Sequence, residues 1–234
     1  MISIDLRKKK VGIVLEKRRL IGVRAQTGFA IDVSGSMEEL FRRGTVQQVV
    51  ERLLALALRF DDNGTMDMVA FDHRATALPP VGEADFAGYV RRAILDDRAV
   101  HKWGGTNYEG AIRLATEAWF GRPSPGGLLS RLFGARPAAP AAQPSLLLIA
   151  TDGENQDPAE TDALLRAMQD RPVYFSFIGI GAARFDFIRE VAERYPNVGF
   201  LSVADLERIS DDELYERLVS RELADWLRQS GQRG

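Results

Sequence analysis

An apolar run, Phe29 to Val33, carries an aspartate near its end and leads into Ser34-Gly35-Ser36, so that Asp32, Ser34 and Ser36 fall at alternate positions beside a glycine turn. Carboxylate and hydroxyl oxygens gathered at a strand end suit a hard cation. Mg2+ takes oxygen ligands, keeps several of its waters and is commonly held by only one or two carboxylates. The same residues have a purely structural use, with Asp32 capping the next helix and the serines making the turn. On this stretch alone both uses remain open.

Two further oxygen-bearing loops lie downstream, Gly104-Gly105-Thr106-Asn107 and Thr151-Asp152-Gly153-Glu154-Asn155. D-x-S-x-S, then a threonine after Gly-Gly, then a strand-terminal T-D-G, resembles the von Willebrand factor A domain. The resemblance implies that Asp32, Ser34, Ser36, Thr106 and Asp152 form a metal-ion-dependent adhesion site. It further implies Mg2+ as the ion, with Mn2+ or Ca2+ as alternatives. In such domains Ser34 and Ser36 bind directly, Asp32 and Asp152 act directly or through water, and Thr106 enters or leaves the ligand set. An ion held mostly by hydroxyls and water stays under-neutralised, so it accepts an Asp or Glu carboxylate from a partner protein. The resemblance also implies coupling between this change and movement of the C-terminal helix, here residues 211–228, which makes the site a switchable docking point.

Hydrolytic chemistry is the competing use. Asp32 beside a metal suits a phosphatase or other metal-assisted hydrolase. The residue two after it is Ser34, however, so a second nearby acid is lacking there. His73 and His101 stand in no triad-like context. Glu154 and Asp157 lie close enough to Asp152 to act as a base, but loop solvation and helix capping are their commoner uses. No stretch matches G-x-x-x-x-G-K-[ST], so in a third reading, as the partner subunit of an ATPase complex, hydrolysis belongs to another chain. The expectation is a non-catalytic module.

Composition narrows the classes. A net charge of -2 gives no electrostatic reason to expect a nucleic-acid partner. Cysteine is absent, which excludes disulfides and thiolate chemistry, and with only 2 histidines a histidine-rich zinc site is not expected. The run Val11 to Leu15 is too short for a signal-peptide core and meets Glu16-Lys17-Arg18-Arg19 at once. No membrane span is expected, and the expected location is the cytoplasm.

Positioning these loops requires strands that end at one edge. Apolar strands are expected at 27–33, 66–71, 145–151, 172–180 and 198–203, with a short edge strand at 74–78 closed by Pro79-Pro80. Between them the periodicity predicts helices at 45–59, 85–95, 108–119, 159–169 and 184–194, a helical turn at 205–209, and a last helix from a capping box at Ser210 to about Arg228. Alternating strands and helices argue for an α/β fold with a doubly wound, mostly parallel central sheet covered by helices on both faces, von Willebrand A or Rossmann-like. In such sheets ligands sit beyond the carboxyl ends of the strands, at the topological switch point. The helix N-terminus after Thr106 favours anionic groups nearby.

Residues 25–229 read as this domain, with a flexible Pro-, Gly- and Ala-rich insertion at 121–144 whose Leu128-to-Phe133 patch packs locally or meets a partner. Residues 1–24 read as a basic N-terminal extension, a helix or strand–helix mixture docked on the domain, or else a basic arm for an anionic partner. The segments Thr106 to Gly110, Phe177 to Gly181, Ser210 to Glu216 and Trp226-Leu227 resemble the A domain of bacterial tellurium-resistance-associated proteins. A role in tellurite resistance or stress response is what that resemblance implies. The calcium-binding domain that often accompanies this branch has no counterpart in the sequence.

Overall fold

The computed structural model describes residues 3–61, 64–121, 143–153 and 155–231. Most of the expected insertion at 121–144, with its Leu128-to-Phe133 patch, lies outside the described residues, as do Asp62, Asn63 and Glu154. Among the described residues, six strands form one sheet: β1 (Gln26–Asp32), β2 (Thr65–Phe71), β3 (Ala75–Gly82), β4 (Ser145–Thr151), β5 (Val173–Ile180) and β6 (Val198–Val203). Their order is β3-β2-β1-β4-β5-β6, with only β3 antiparallel to its neighbour. The fold is therefore α/β and doubly wound, as expected.

Residues of β4 and β5 are buried throughout, because both faces of the sheet are covered. Successive side chains alternate between the two faces. Phe29, Ile31, Leu146, Leu148 and Ile178 enter one core with α1 (Ile4–Lys17), α3 (Thr45–Phe60), α7 (Asp211–Leu218) and α8 (Arg221–Gly231). Ala30, Leu147, Ile149, Phe175 and Phe177 enter the other, beneath α4 (Tyr108–Phe120), α5 (Pro158–Ala167) and α6 (Asp186–Arg194). A short α2 (Glu38–Arg42) precedes α3. The reversal of strand order falls between β1 and β4, which puts the ends of those two strands side by side at the switch point.

The basic N-terminal stretch folds as α1, capped by Ser3, whose Oγ accepts the Leu6 N–H at 3.3 Å. It lays Val11, Val14 and Leu15 into the core against α3. A buried charge network ties the helices of this face together. Arg7 Nη1 donates to Glu51 Oε2 at 2.8 Å, Arg7 Nε to Asp211 Oδ2 at 3.4 Å, and Arg52 Nε stands 2.8 Å from Asp211 Oδ1. Arg52 also donates to the carbonyls of Leu206 and Ile209, at 2.8 and 3.2 Å. That draws residues 205–209 into a turn.

Three expected elements differ. β3 runs on through Pro79 and Pro80, because Met66 pairs with Val81 and Met68 with Leu78, leaving both prolines opposite Asp67 in an edge bulge where their missing N–H groups cost no ladder bond. The helix expected at 85–95 shortens to a π-helical turn, Arg91–Leu95. Asp85 is diverted to the turn before it, its Oδ1 accepting the Gly82 N–H at 2.8 Å. The last helix is two. Val219 leaves helical ψ at 62°, and Ser220 Oγ accepts the Leu223 N–H at 3.2 Å, starting α8 afresh.

Candidate metal centre

Asp32 ends β1 with no solvent exposure. Its Oδ1 accepts the Ser34 N–H at 2.7 Å and its Oδ2 accepts the Thr151 hydroxyl at 2.6 Å, so it braces both the serine loop and the end of β4. All of these donors are neutral. Burial pushes the Asp32 carboxyl up to about 6, against the hydrogen bonds from Ser34 and Thr151, and the nearby Asp152 pushes the same way. The acid is wholly buried, and among the described residues its hydrogen bonds come from neutral donors.

Beyond Asp32 the chain makes a tight turn, Gly35–Met37. Ser34 Oγ lies 3.2 Å from Ser36 Oγ, and Ser36 Oγ donates to Asp152 Oδ1 at 2.6 Å. Asp152 is raised as well, by burial that its bond from Ser36 only partly offsets. Thr106 is nearly buried, and its Oγ1 and Ser36 Oγ stand 3.4 and 3.8 Å from where a Cβ on Gly153 would sit. A side chain at Gly153 would intrude on the space between these oxygens. The fold thus joins Ser34, Ser36 and Asp152 in one hydrogen-bonded cluster, with Asp32 behind them and Thr106 beside Gly153.

Main-chain bonds join the loops that carry these groups. Trp103 N–H donates to Val33 O at 2.7 Å, Gly35 N–H to Gly104 O at 3.1 Å, Asn107 N–H to Asp72 O at 2.9 Å and Gln156 N–H to Thr106 O at 2.9 Å. Tyr108, buried at the start of α4, donates its hydroxyl to Gly153 O at 2.8 Å. The α4 N-terminus does meet an anion, one supplied by the protein. The N–H groups of Tyr108 and Glu109 donate to Asp157 Oδ1 and Oδ2, each at 3.0 Å. Thr161 Oγ1 adds a bond to Asp157 Oδ1 at 2.9 Å. Asp157 is therefore occupied as a cap, although burial still raises its carboxyl.

The donor set fits a small hard cation. Octahedral Mg2+ with bonds of 2.0–2.1 Å places neighbouring ligands about 3 Å apart. The spacings of 3.2 Å between the serine oxygens and 2.6 Å from Ser36 to Asp152 bracket that value. Ser34, Ser36, Thr106 and Asp152 would offer oxygens to such an ion, and Asp32 would hold the loop and balance charge.

A family model described as the von Willebrand A (vWA) domain found in the C terminus of TerF matches residues 24–121 and 128–234. The chain belongs to the TerF-like vWA family. This vWA domain is 36% identical over 238 residues to YcbR of Bacillus subtilis strain 168, an uncharacterized protein, covering 100% of this chain and 90% of that one. Among solved structures it is similar to proximal thread matrix protein 1 of the mussel byssus (TM-score 0.58, 14% identity, 85% of this chain and 48% of that one). It is also similar to a form of that mussel protein with a zinc-occupied MIDAS motif (TM-score 0.51, 17% identity, 86% and 46%). A third similar structure is the SpRpn10 VWA domain (TM-score 0.56, 14% identity, 82% and 94%). The chain spans about half the length of the mussel chains. At these identities the structures speak for the fold.

Sequence reasoning missed one set of residues at the same edge of the vWA domain. Asp72 directly follows β2 and is fully buried, with Oδ2 2.6 Å from His101 Nδ1, 3.6 Å from His73 Nδ1 and accepting the Gly104 N–H at 3.0 Å. Burial alone would raise this acid. The N–H groups of Arg74 and Gly104 and the imidazole of His101 together hold it below the usual carboxylate range. The available signal was Asp72 itself, a strand-terminal acid placed like Asp32. The two histidines, read as standing in no triad-like context, both turn to it. No helix among the described residues is long and apolar enough to cross a membrane.

Proposed function

We propose that this vWA domain binds a divalent cation, Mg2+ with Mn2+ or Ca2+ as alternatives, at Asp32, Ser34, Ser36, Thr106 and Asp152, and uses it to dock a partner protein through that partner's Asp or Glu carboxylate. The observation that carries the reading is the state of Asp32: a buried acid whose two oxygens are taken by neutral donors, behind a cluster of hydroxyls. Such a set leaves an ion electrophilic toward an incoming carboxylate. Ser34, Ser36 and Thr106 would supply neutral ligands, Asp152 the charged one, and Asp32 the orientation of Ser34.

In this reading the domain is not an enzyme. Support comes from Asp157, one of the two candidate bases, which spends both oxygens on the α4 N-terminus and Thr161. The module works in the cytoplasm of a bacterium, in tellurite resistance or a related stress response. The tellurite link rests on the name of the TerF-like family. The α7 segment, anchored through Asp211, is the element whose position would report on docking.

Calorimetric titration of Mg2+, Mn2+ and Ca2+ into wild type, Ser34→Ala and Asp32→Ala tests the reading. Expected are one equivalent of ion for wild type and loss of binding in both variants, with unchanged circular dichroism. Capture of an acidic partner that survives EDTA would sink the docking claim, and metal-dependent turnover of a generic phosphoester would favour the hydrolase instead.

A further inference from the structure

We propose that Asp72, His73 and His101 form a second cation site, selective for an imidazole-seeking divalent transition metal of the Zn2+ class and distinct from the oxygen-lined centre. One carboxylate oxygen and one nitrogen from each histidine lie within 4.8 Å of one another. Two imidazoles and a carboxylate form a ligand set typical of Zn2+, Ni2+ or Cu2+, and a poor one for Mg2+ or Ca2+. Hydroxyl, carboxylate and water oxygens, as in the oxygen-lined centre, suit Mg2+ or Ca2+ better. The two clusters therefore divide the divalent ions by ligand softness.

The surroundings are those of a built site. Asp72 is anchored, with Oδ1 accepting the Arg74 N–H at 2.8 Å and Oδ2 the Gly104 N–H at 3.0 Å. A carboxylate held in this way presents its remaining lone pairs in a fixed direction. Gly104 has to be glycine here, since a Cβ would run into His73 Nδ1 and Asp72 Oδ2. The imidazoles lie edge to face with centroids 4.6 Å apart. Their side chains keep 41% and 37% exposure, so an ion enters from solvent and the remaining coordination positions fall to water.

Tetrahedral zinc with bonds near 2.0–2.1 Å sets its ligands about 3.3 Å apart. Asp72 Oδ2 stands 3.6 Å from His73 Nδ1 and 2.6 Å from His101 Nδ1, so seating an ion requires the exposed His101 ring to give way by less than about 1 Å. The proton between Asp72 and His101 leaves as the metal enters.

The test is titration of Zn2+ into the metal-stripped full chain under excess Mg2+, with Co2+ as a visible-spectrum reporter. Wild type is expected to bind one equivalent. His101→Ala and His73→Ala, at exposed side chains, should each weaken binding at least about tenfold. Asp32→Ala, or Ser36→Ala should that variant unfold, should change it less than about twofold, because the sites share no ligand. Wild type that binds no Zn2+, or binding that survives both histidine variants, overturns the proposal. So does binding that disappears with Asp32 or Ser36, because the zinc would then sit in the oxygen-lined centre. Failure of the docking reading leaves all of these outcomes unaltered.

Discussion

Asp32 closes β1 and Asp72 follows β2, on neighbouring parallel strands, and both carboxylates are withdrawn from solvent. Their acidities nevertheless move apart. Asp32 has an amide and a hydroxyl for partners and rises to about 6, whereas Asp72 has two amides and an imidazole and falls. Burial acts upward on both but more heavily on Asp32, while at Asp72 the hydrogen bonds and His101 outweigh it. On the proposed reading, a buried acid without such a partner is the one that a cation from outside would stabilise. One already partnered by a histidine asks only for exchange.

A third buried acid, Asp211, sharpens the comparison because two arginines face it. Arg7→Met removes one and leaves Glu51 short of its partner as well. Chemical denaturation should show a loss of about 3 kcal/mol, since breaking a buried pair strands the remaining charge. A variant as stable as wild type would mean that compensation is not what keeps these acids buried.

For Asp32 the pH dependence runs opposite to that of an ordinary salt-bridged acid. Its carboxyl titrates near 6 when folded, against 3.8 for an unperturbed aspartate, so the folded state holds the proton more tightly. Metal-free protein should lose stability as pH climbs from about 4 to 6, by about 3 kcal/mol in all, and stay at that lower level above. Asp32→Asn should remove the loss, raising Tm at pH 8 while weakening Mg2+ binding about 100-fold. Saturating Mg2+ should flatten the same pH profile in wild type. A metal-free profile that rises over this interval breaks the contrast between the two acids.

Asp72→Asn is the matching variant on the other strand and should act the other way. Asp72 contributes stability above its unfolded-state pKa, lost as pH falls through its depressed folded value. The variant should therefore cost about 1–2 kcal/mol near neutrality, with the cost fading in acid. Smallest in the series is Ser34→Ala. It should abolish Mg2+ binding, as in the titration above, yet move Tm by only a few degrees, for a single hydroxyl bond lost.

Much of this was legible because the informative residues are contiguous. D-x-S-x-S, the threonine after Gly-Gly and T-D-G each occupy one short loop, and the apolar strands before them fix which edge those loops share. The Asp72 cluster could not be read in that way. His101 reaches Asp72 across a polar connection whose path depends on Gly35 and Gly104 meeting through their backbones. Pro79 and Pro80 argue against a strand until the bulge opposite Asp67 excuses them. Asp157 looks free in the sequence because its partners, the N–H groups of Tyr108 and Glu109, belong to a helix far away along the chain. The division at Val219 hides in an apolar spacing that suits one helix as well as two.

The four main-chain links along the rim, Val33 to Trp103, Gly35 to Gly104, Asp72 to Asn107 and Thr106 to Gln156, involve no side chain. Shape and selectivity at this edge are thus written in different alphabets. Side chains can be exchanged to retune which ion or partner is accepted while the peptide groups keep the loops in register. A scaffold of this kind lends itself to being re-addressed without being redesigned.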